Sequence, residues 1–160
     1  HIRYMLRNSE LDTSIGEELN QVKNYVNMQK ICFPNKITAF IQCEEKCVDV
    51  SIPYLLIETL VENAFKHGKS TDNFLMFNLN VYKSEEGTII EYEDSGEGFS
   101  EEDLIHYSKV DTKMKEHLGL NNVRKTLEIK YGRTDLMKLS NGTPHGASIR
   151  ICIPDIEKQR

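Results

Sequence analysis

The sequence has 160 residues, enough for one domain with a buried core of ordinary size. Hydrophobic residues make up 39% and charged residues 28%, the balance of a globular chain and not of a disordered one. The 20 basic and 25 acidic side chains leave a net charge of −5, which excludes a global electrostatic footprint for nucleic acid, so an anionic ligand must be held by local donors.

The chain opens at His1, without Met, which fits a piece of a longer protein. No signal peptide is predicted, because the first residues are polar and basic with no apolar run behind them. The longest apolar stretch, Ile52 to Val61, is too short and interrupted to span a bilayer. Residues 1–16 read as an arm, or the tail of an upstream helix, ahead of a domain over 17–160. Ser14 and Glu17 have capping-box spacing, and Leu19, Val22, Tyr25, Val26, Ile31 and Phe33 form an apolar stripe at roughly helical spacing, stopped by Pro34-Asn35. Alternation over Lys36 to Cys43 predicts a strand. Pro53 is expected in the first turn of a helix over Tyr54 to His67, ended by Gly68, with Leu56, Leu60 and Ala64 facing the core. Two strands, Phe74 to Lys83 and Thr88 to Asp94, are joined by Ser84-Glu85-Glu86-Gly87 as a hairpin. The polar run Ser100 to His117 starts as a helix with Ser100 and Asp103 at capping spacing. Leu120, Val123, Leu127 and Tyr131 mark a further helix closed by Gly132. A last hairpin follows: Asp135 to Ser140, a turn over Asn141 to Gly146, then Ala147 to Ile153. Hairpin strands with interleaved helices predict an α+β fold, a two-layer sandwich whose mixed, mainly antiparallel sheet is covered by helices on one face. Cys32, Cys43, Cys47 and Cys152 form no C-x-x-C pair and read as reduced cytosolic thiols.

Three segments can carry chemistry. In Glu62-Asn63-Ala64-Phe65-Lys66-His67-Gly68, Asn63, Lys66 and His67 stand at i, i+3 and i+4 on one helix side. A carboxamide oxygen can ligate Mg2+ while the two cations meet phosphate oxygens; a polar helix end with a capping His is the other reading. Asp94-Ser95-Gly96-Glu97-Gly98 puts a carboxylate at a strand end, where it can accept from an exocyclic amine, before two residues without Cβ; a tight Asp-Gly turn is the alternative. Gly119 and Leu120 open a helix whose first N–H groups can hold phosphate, with Arg124 one turn on, although an ordinary helix start has the same look.

Taken in order, Asn63, then Asp94-x-Gly96-x-Gly98, then Gly119-Leu120 resemble the N, G1 and G2 boxes of the GHKL ATPase superfamily. The strand Gly146-Ala147-Ser148-Ile149 to Ile153-Pro154 resembles that family's last one. More narrowly, Pro53 through Gly68, Leu118 through Val123, and Glu17 through Phe33 resemble the catalytic domain of LytS/YesM-type sensor histidine kinases, over roughly Ile2 to Pro154. The resemblance implies ATP and Mg2+ as ligands, with Asn63 on the metal and Lys66 and His67 on phosphate oxygens. It implies that Asp94 binds the adenine amine, partly through water held by Ser148, that Gly96 and Gly98 let the nucleotide lie close, and that Gly119 and Leu120 offer N–H groups. Ser100 to Leu118 would be an ATP lid, and Glu62 would orient or deprotonate an acceptor imidazole. His117 and Thr126 depart from the pattern, standing where many relatives have Gly and Arg. None of His1, His67, His106, His117 or His145 has the N-P-H-F-like setting of an acceptor, so that histidine would lie on upstream dimerisation helices. The implied partners are those helices, in a homodimer, and a response regulator, with the domain on the cytoplasmic side of a membrane-anchored sensor. A GHKL hydrolase would carry a carboxylate where this chain has Thr59; an anti-sigma-type serine kinase and a non-catalytic nucleotide-binding module share the boxes.

Overall fold

The structure, a computed structural model, describes residues 11–67, 72–108 and 118–155. The first strand, β1 (Asp12–Ser14), leads directly into helix α1 (Ile15–Cys32) through the predicted capping box. Ser14 Oγ accepts from the Glu17 N–H at 3.1 Å, and the Glu17 carboxylate accepts from the Ser14 N–H at 3.2 Å. Leu19, Val22 and Val26 are buried and Tyr25 half-buried, as the stripe predicts. Ile31 and Phe33 depart from it and are exposed. Ile31 lies five residues past Val26, about 140° around the helix from it, and Phe33 already caps the helix end.

Strand β2 (Ile37–Cys43) follows, and after a short 3-10 turn β3 (Ser51–Pro53) pairs antiparallel with β1. Neither three-residue strand is long enough to show periodicity. Pro53 closes β3 instead of opening a helix, and Leu55, at φ 64°, turns the chain so that α2 (Leu56–His67) begins two residues later than predicted.

The main sheet has the order β2-β4-β5-β7-β6, where β4 is Leu75–Lys83, β5 Thr88–Asp94, β6 Met137–Asn141 and β7 Ala147–Ile153. Among the described residues only β2 and β4 pair in parallel, with α2 in their crossover; the other pairs are antiparallel, giving the mixed sheet expected. Registered rows such as Ile41, Leu79, Tyr92 and Ile149 share one face. That face forms a single core with the apolar sides of α1, α2 and α4 (Leu118–Tyr131). The other face bears exposed Phe40 and Met76. Helix α3 (Glu101–Ser108), capped by Ser100 Oγ on the Asp103 N–H, packs at the β6 edge. All four cysteines are free thiols.

Candidate functional site

Helix α2 is held from its start by a residue of α1. Glu18 is buried, and its two carboxylate oxygens accept from the N–H groups of Leu56 at 3.1 Å and Ile57 at 2.7 Å, donors that a helix start otherwise leaves unpaired. Burial pushes this carboxyl up to about 7, while the backbone donors pull the other way. Leu56, Leu60 and Ala64 face the core as predicted, joined by Ile57 and Val61. Asn63 is buried at 8% exposure, Glu62 is half-buried, and Lys66 and His67 stand exposed in the last turn, where positive charge complements the helix dipole. Gly68 lies outside the described residues.

A row of rings carries this helix end to the sheet. Tyr25 meets Phe65 at 5.2 Å between centroids, Phe65 meets Phe77 at 6.3 Å, and Phe77 meets Tyr92 at 6.1 Å. Phe77 is the register partner of Asp94, so the Asn63 end of α2 lies over the Asp94 end of β5. From the other side, α4 approaches α2 closely: a Cβ on Gly119 would come within 3.0 Å of the Thr59 methyl, one turn before Asn63. The Leu120 side chain is fully buried, which leaves its main chain as the part that can meet a ligand. Helix α2 is thus flanked by the Asp94 end of β5 through Phe65 and Phe77, and by Gly119 of α4 through Thr59.

Asp94 is the most firmly built group. Its Oδ1 accepts from the N–H of Gly96 at 2.9 Å and of Ala147 at 3.0 Å, and its Oδ2 from the Tyr92 hydroxyl at 2.5 Å. The loop after it is tied to the last hairpin. Phe99 N–H donates to Asn141 Oδ1 at 2.7 Å, and Asn141 Nδ2 donates back to the Phe99 carbonyl at 2.8 Å. His145 Nδ1 lies 2.9 Å from the Gly96 carbonyl. Gly98 (φ 83°) and Gly146 (φ 107°) have to be glycine: a Cβ would lie 2.5 Å from Asn141 Oδ1 in the first case and 1.9 Å from the Asp94 carbonyl oxygen in the second.

Two expectations are corrected. Ser148 pairs with Glu93 on the opposite face of the sheet, where it lines a groove of about 570 Å3 with Glu91, Tyr107 and Arg150. Side chains alternate along a strand, so the β7 residue that meets Asp94 is Ala147, through its main chain. Arg124 is 5% exposed and is used internally. It donates to the Tyr107 carbonyl at 2.6 Å and to Asn121 Oδ1 at 3.3 Å, and lies 4.6 Å from the Tyr107 ring centre, anchoring α3. Thr126 donates within α4 to the Asn122 carbonyl, and Thr59 donates to the carbonyl of Leu55, just ahead of α2. Residues 109–117, with His117 and much of the expected lid, lie outside the described residues. Glu18, Tyr92, Asn141 and His145 also build this region, and of these only Asn141 and His145 carry a signal in the sequence, as part of the turn over Asn141 to Gly146.

A family model described as "Histidine kinase-, DNA gyrase B-, and HSP90-like ATPase" matches residues 48–157. An uncharacterized sensor-like histidine kinase of Staphylococcus epidermidis is 28% identical over 159 residues, covering 96% of this chain and 30% of that protein. The sensor protein kinase HptS of Staphylococcus aureus (strain USA300) is 29% identical with the same coverage. Among solved structures, the nucleotide-free catalytic domain of the histidine kinase ThkA superposes with a TM-score of 0.68 at 16% identity, over 93% of this chain and 97% of that one. The histidine kinase domain of a blue-light activated kinase from Erythrobacter litoralis gives 0.61 at 19%, over 94% and 66%. These two share the fold. The chain spans about 30% of the length of the curated relatives it matches.

Proposed function

The chain belongs to the histidine kinase-, DNA gyrase B- and HSP90-like ATPase family, and from that premise we propose that it is the ATP-binding catalytic domain of a two-component sensor histidine kinase. The observation that carries this reading is the Asp94 carboxylate, fixed by its own loop and by β7 where the Asn63 end of α2 meets the sheet. A carboxylate only accepts hydrogen bonds, so it selects a ligand edge that donates, as the amine of adenine does. Main-chain N–H groups of Gly119 and Leu120 in the first described turn of α4, with Lys66 and His67 in the last turn of α2, would meet the phosphates.

The site also fits Mg2+. Among the described residues no group of three or more His, Cys, Asp or Glu could chelate a metal alone. Mg2+ characteristically keeps few protein ligands and is shared with nucleotide phosphates, which suits a single carboxamide such as Asn63. When bound, the ion neutralises charge on the transferring phosphoryl group. Asn63 would hold it, Lys66 and His67 would meet phosphate oxygens, and the half-buried Glu62 would orient or deprotonate the incoming imidazole. Thr59 offers a hydroxyl committed to the Leu55 carbonyl, a poor base for activating water, which favours transfer over hydrolysis.

The acceptor histidine would lie on upstream helices of a homodimeric, membrane-anchored sensor, and the phosphoryl group would pass on to an aspartate of a response regulator. Among the described residues no helix is long and apolar enough to cross a membrane. The LytS/YesM likeness rests on the residue patterns of 17–33, 53–68 and 118–123. The test joins the upstream segment to this domain and supplies radiolabelled ATP with magnesium. Acid-labile, base-stable label on the upstream segment is the expected result; label only as free phosphate would favour a hydrolase.

A further inference from the structure

We infer that Tyr92 is a positioning residue for base recognition: its buried hydroxyl orients the Asp94 carboxylate so that one acceptor position faces the ligand and selects a 6-amino over a 6-oxo purine. The inference rests on the nucleotide-binding reading above and deepens it.

Tyr92 is 0% exposed in the middle of the core, beside the wholly apolar Phe77 ring, at an interplanar angle of 32°. Phenylalanine would fill that space without burying a hydroxyl, whose burial is costly unless it is hydrogen-bonded. The hydroxyl has its partner two residues along the same strand face, in Asp94 Oδ2 at 2.5 Å. Burial and the neighbouring carboxylate both raise the phenol far above its ordinary range, so it remains the proton donor.

A carboxylate offers about four lone-pair positions. Among the described residues, Gly96 N–H and Ala147 N–H take two on Oδ1, and Tyr92 takes one on Oδ2. What remains is a single position on Oδ2, its direction set by the phenol. A donor at the purine 6-position completes the set. A carbonyl there meets a fixed carboxylate lone pair and is repelled. Without the hydroxyl, Oδ2 would regain a second free position and rotational play, and the distinction would weaken.

The test measures ATP and inosine triphosphate binding by calorimetry for the 160-residue chain and Tyr92→Phe, with melting temperatures as a folding control. These ligands share ribose and phosphates and differ along one edge of the base, where the 6-amine and acceptor N1 of adenine become a 6-carbonyl and an N1–H, one position away from the donor that Asp94 Oδ2 faces. The wild type should prefer ATP. In Tyr92→Phe, ATP should weaken about threefold to tenfold, as expected for one charge-assisted hydrogen bond acting through a second residue, while inosine triphosphate holds its affinity. Equal weakening of both nucleotides, or an unchanged ratio, overturns the role of Tyr92. A wild type that binds neither overturns the nucleotide reading itself; one that binds both equally overturns base selection at Asp94 and with it the role of Tyr92. A second measurement uses the wild type alone. The Tyr92 hydroxyl proton should be visible by NMR as slowly exchanging and should move more with ATP than with inosine triphosphate; absence of that proton, or equal movement, also overturns the inference.

Discussion

Glu18 reaches from α1 to cap α2, and replacing it separates two opposing effects. Burial raises its folded-state carboxyl from the ordinary 4.5 to about 7. Between those values the folded protein holds one more proton than the unfolded chain, so stability is full below 4.5 and is lost as pH rises through 7. Each pH unit in that window costs about 1.4 kcal/mol, so the whole window amounts to roughly 3 kcal/mol. Glu18→Gln has no titration. Its carboxamide keeps one acceptor for Leu56 or Ile57 and turns an N–H donor toward the other, at a cost of about 1–3 kcal/mol that does not vary with pH. Urea unfolding of both proteins at intervals from pH 4.5 to 8 isolates the carboxyl. The stability of the wild type minus that of the variant should shrink by roughly 3 kcal/mol across the series. A constant difference, or one that widens with pH, refutes the reasoning.

Three further outcomes are expected at the site. Asp94→Asn should weaken ATP binding by about 1–3 kcal/mol, since its amide nitrogen opposes donors that Asp94 now accepts; unchanged affinity by calorimetry would remove the adenine assignment. Asn63→Ala should abolish the gain in ATP affinity that magnesium gives and slow phosphoryl transfer, leaving magnesium-free affinity unchanged; an intact magnesium gain in titrations would rule out the ligand role. Gly146→Ala places a Cβ 1.9 Å from the Asp94 carbonyl oxygen at φ 107°, so β5 and β7 must move apart. It should lose about 2–4 kcal/mol of stability together with ATP binding, and an unaltered melting curve would show that the hairpin has slack.

Local signals in the sequence carry far. The Ser14 and Glu17 box, the bounds of β5 and β7, and the stop of α4 at Gly132 all depend on neighbours within a few residues, and the structure reproduces them. What escaped depends on distant partners or on phase. Glu18 binds N–H groups 38 and 39 residues away, and Asn141 meets Phe99 across 42. The resemblance points to Ser148, but a one-residue change of phase decides which face of a strand a side chain takes, and only the pairing of β7 with β5 fixes it. Arg124 suits phosphate by its chemistry, yet its burial under Tyr107 is a tertiary fact.

The N–H that Ala147 gives to Asp94 spans 53 residues. A ribosome therefore releases the Asp94 carboxylate well before the peptide group of Ala147 that helps to steady it. Until the closing hairpin has docked, Asp94 in the emerging polypeptide has only its near neighbours Tyr92 and Gly96 to hold it, and the third donor comes with β7. The full set of donors around Asp94 and the completed sheet thus arrive together.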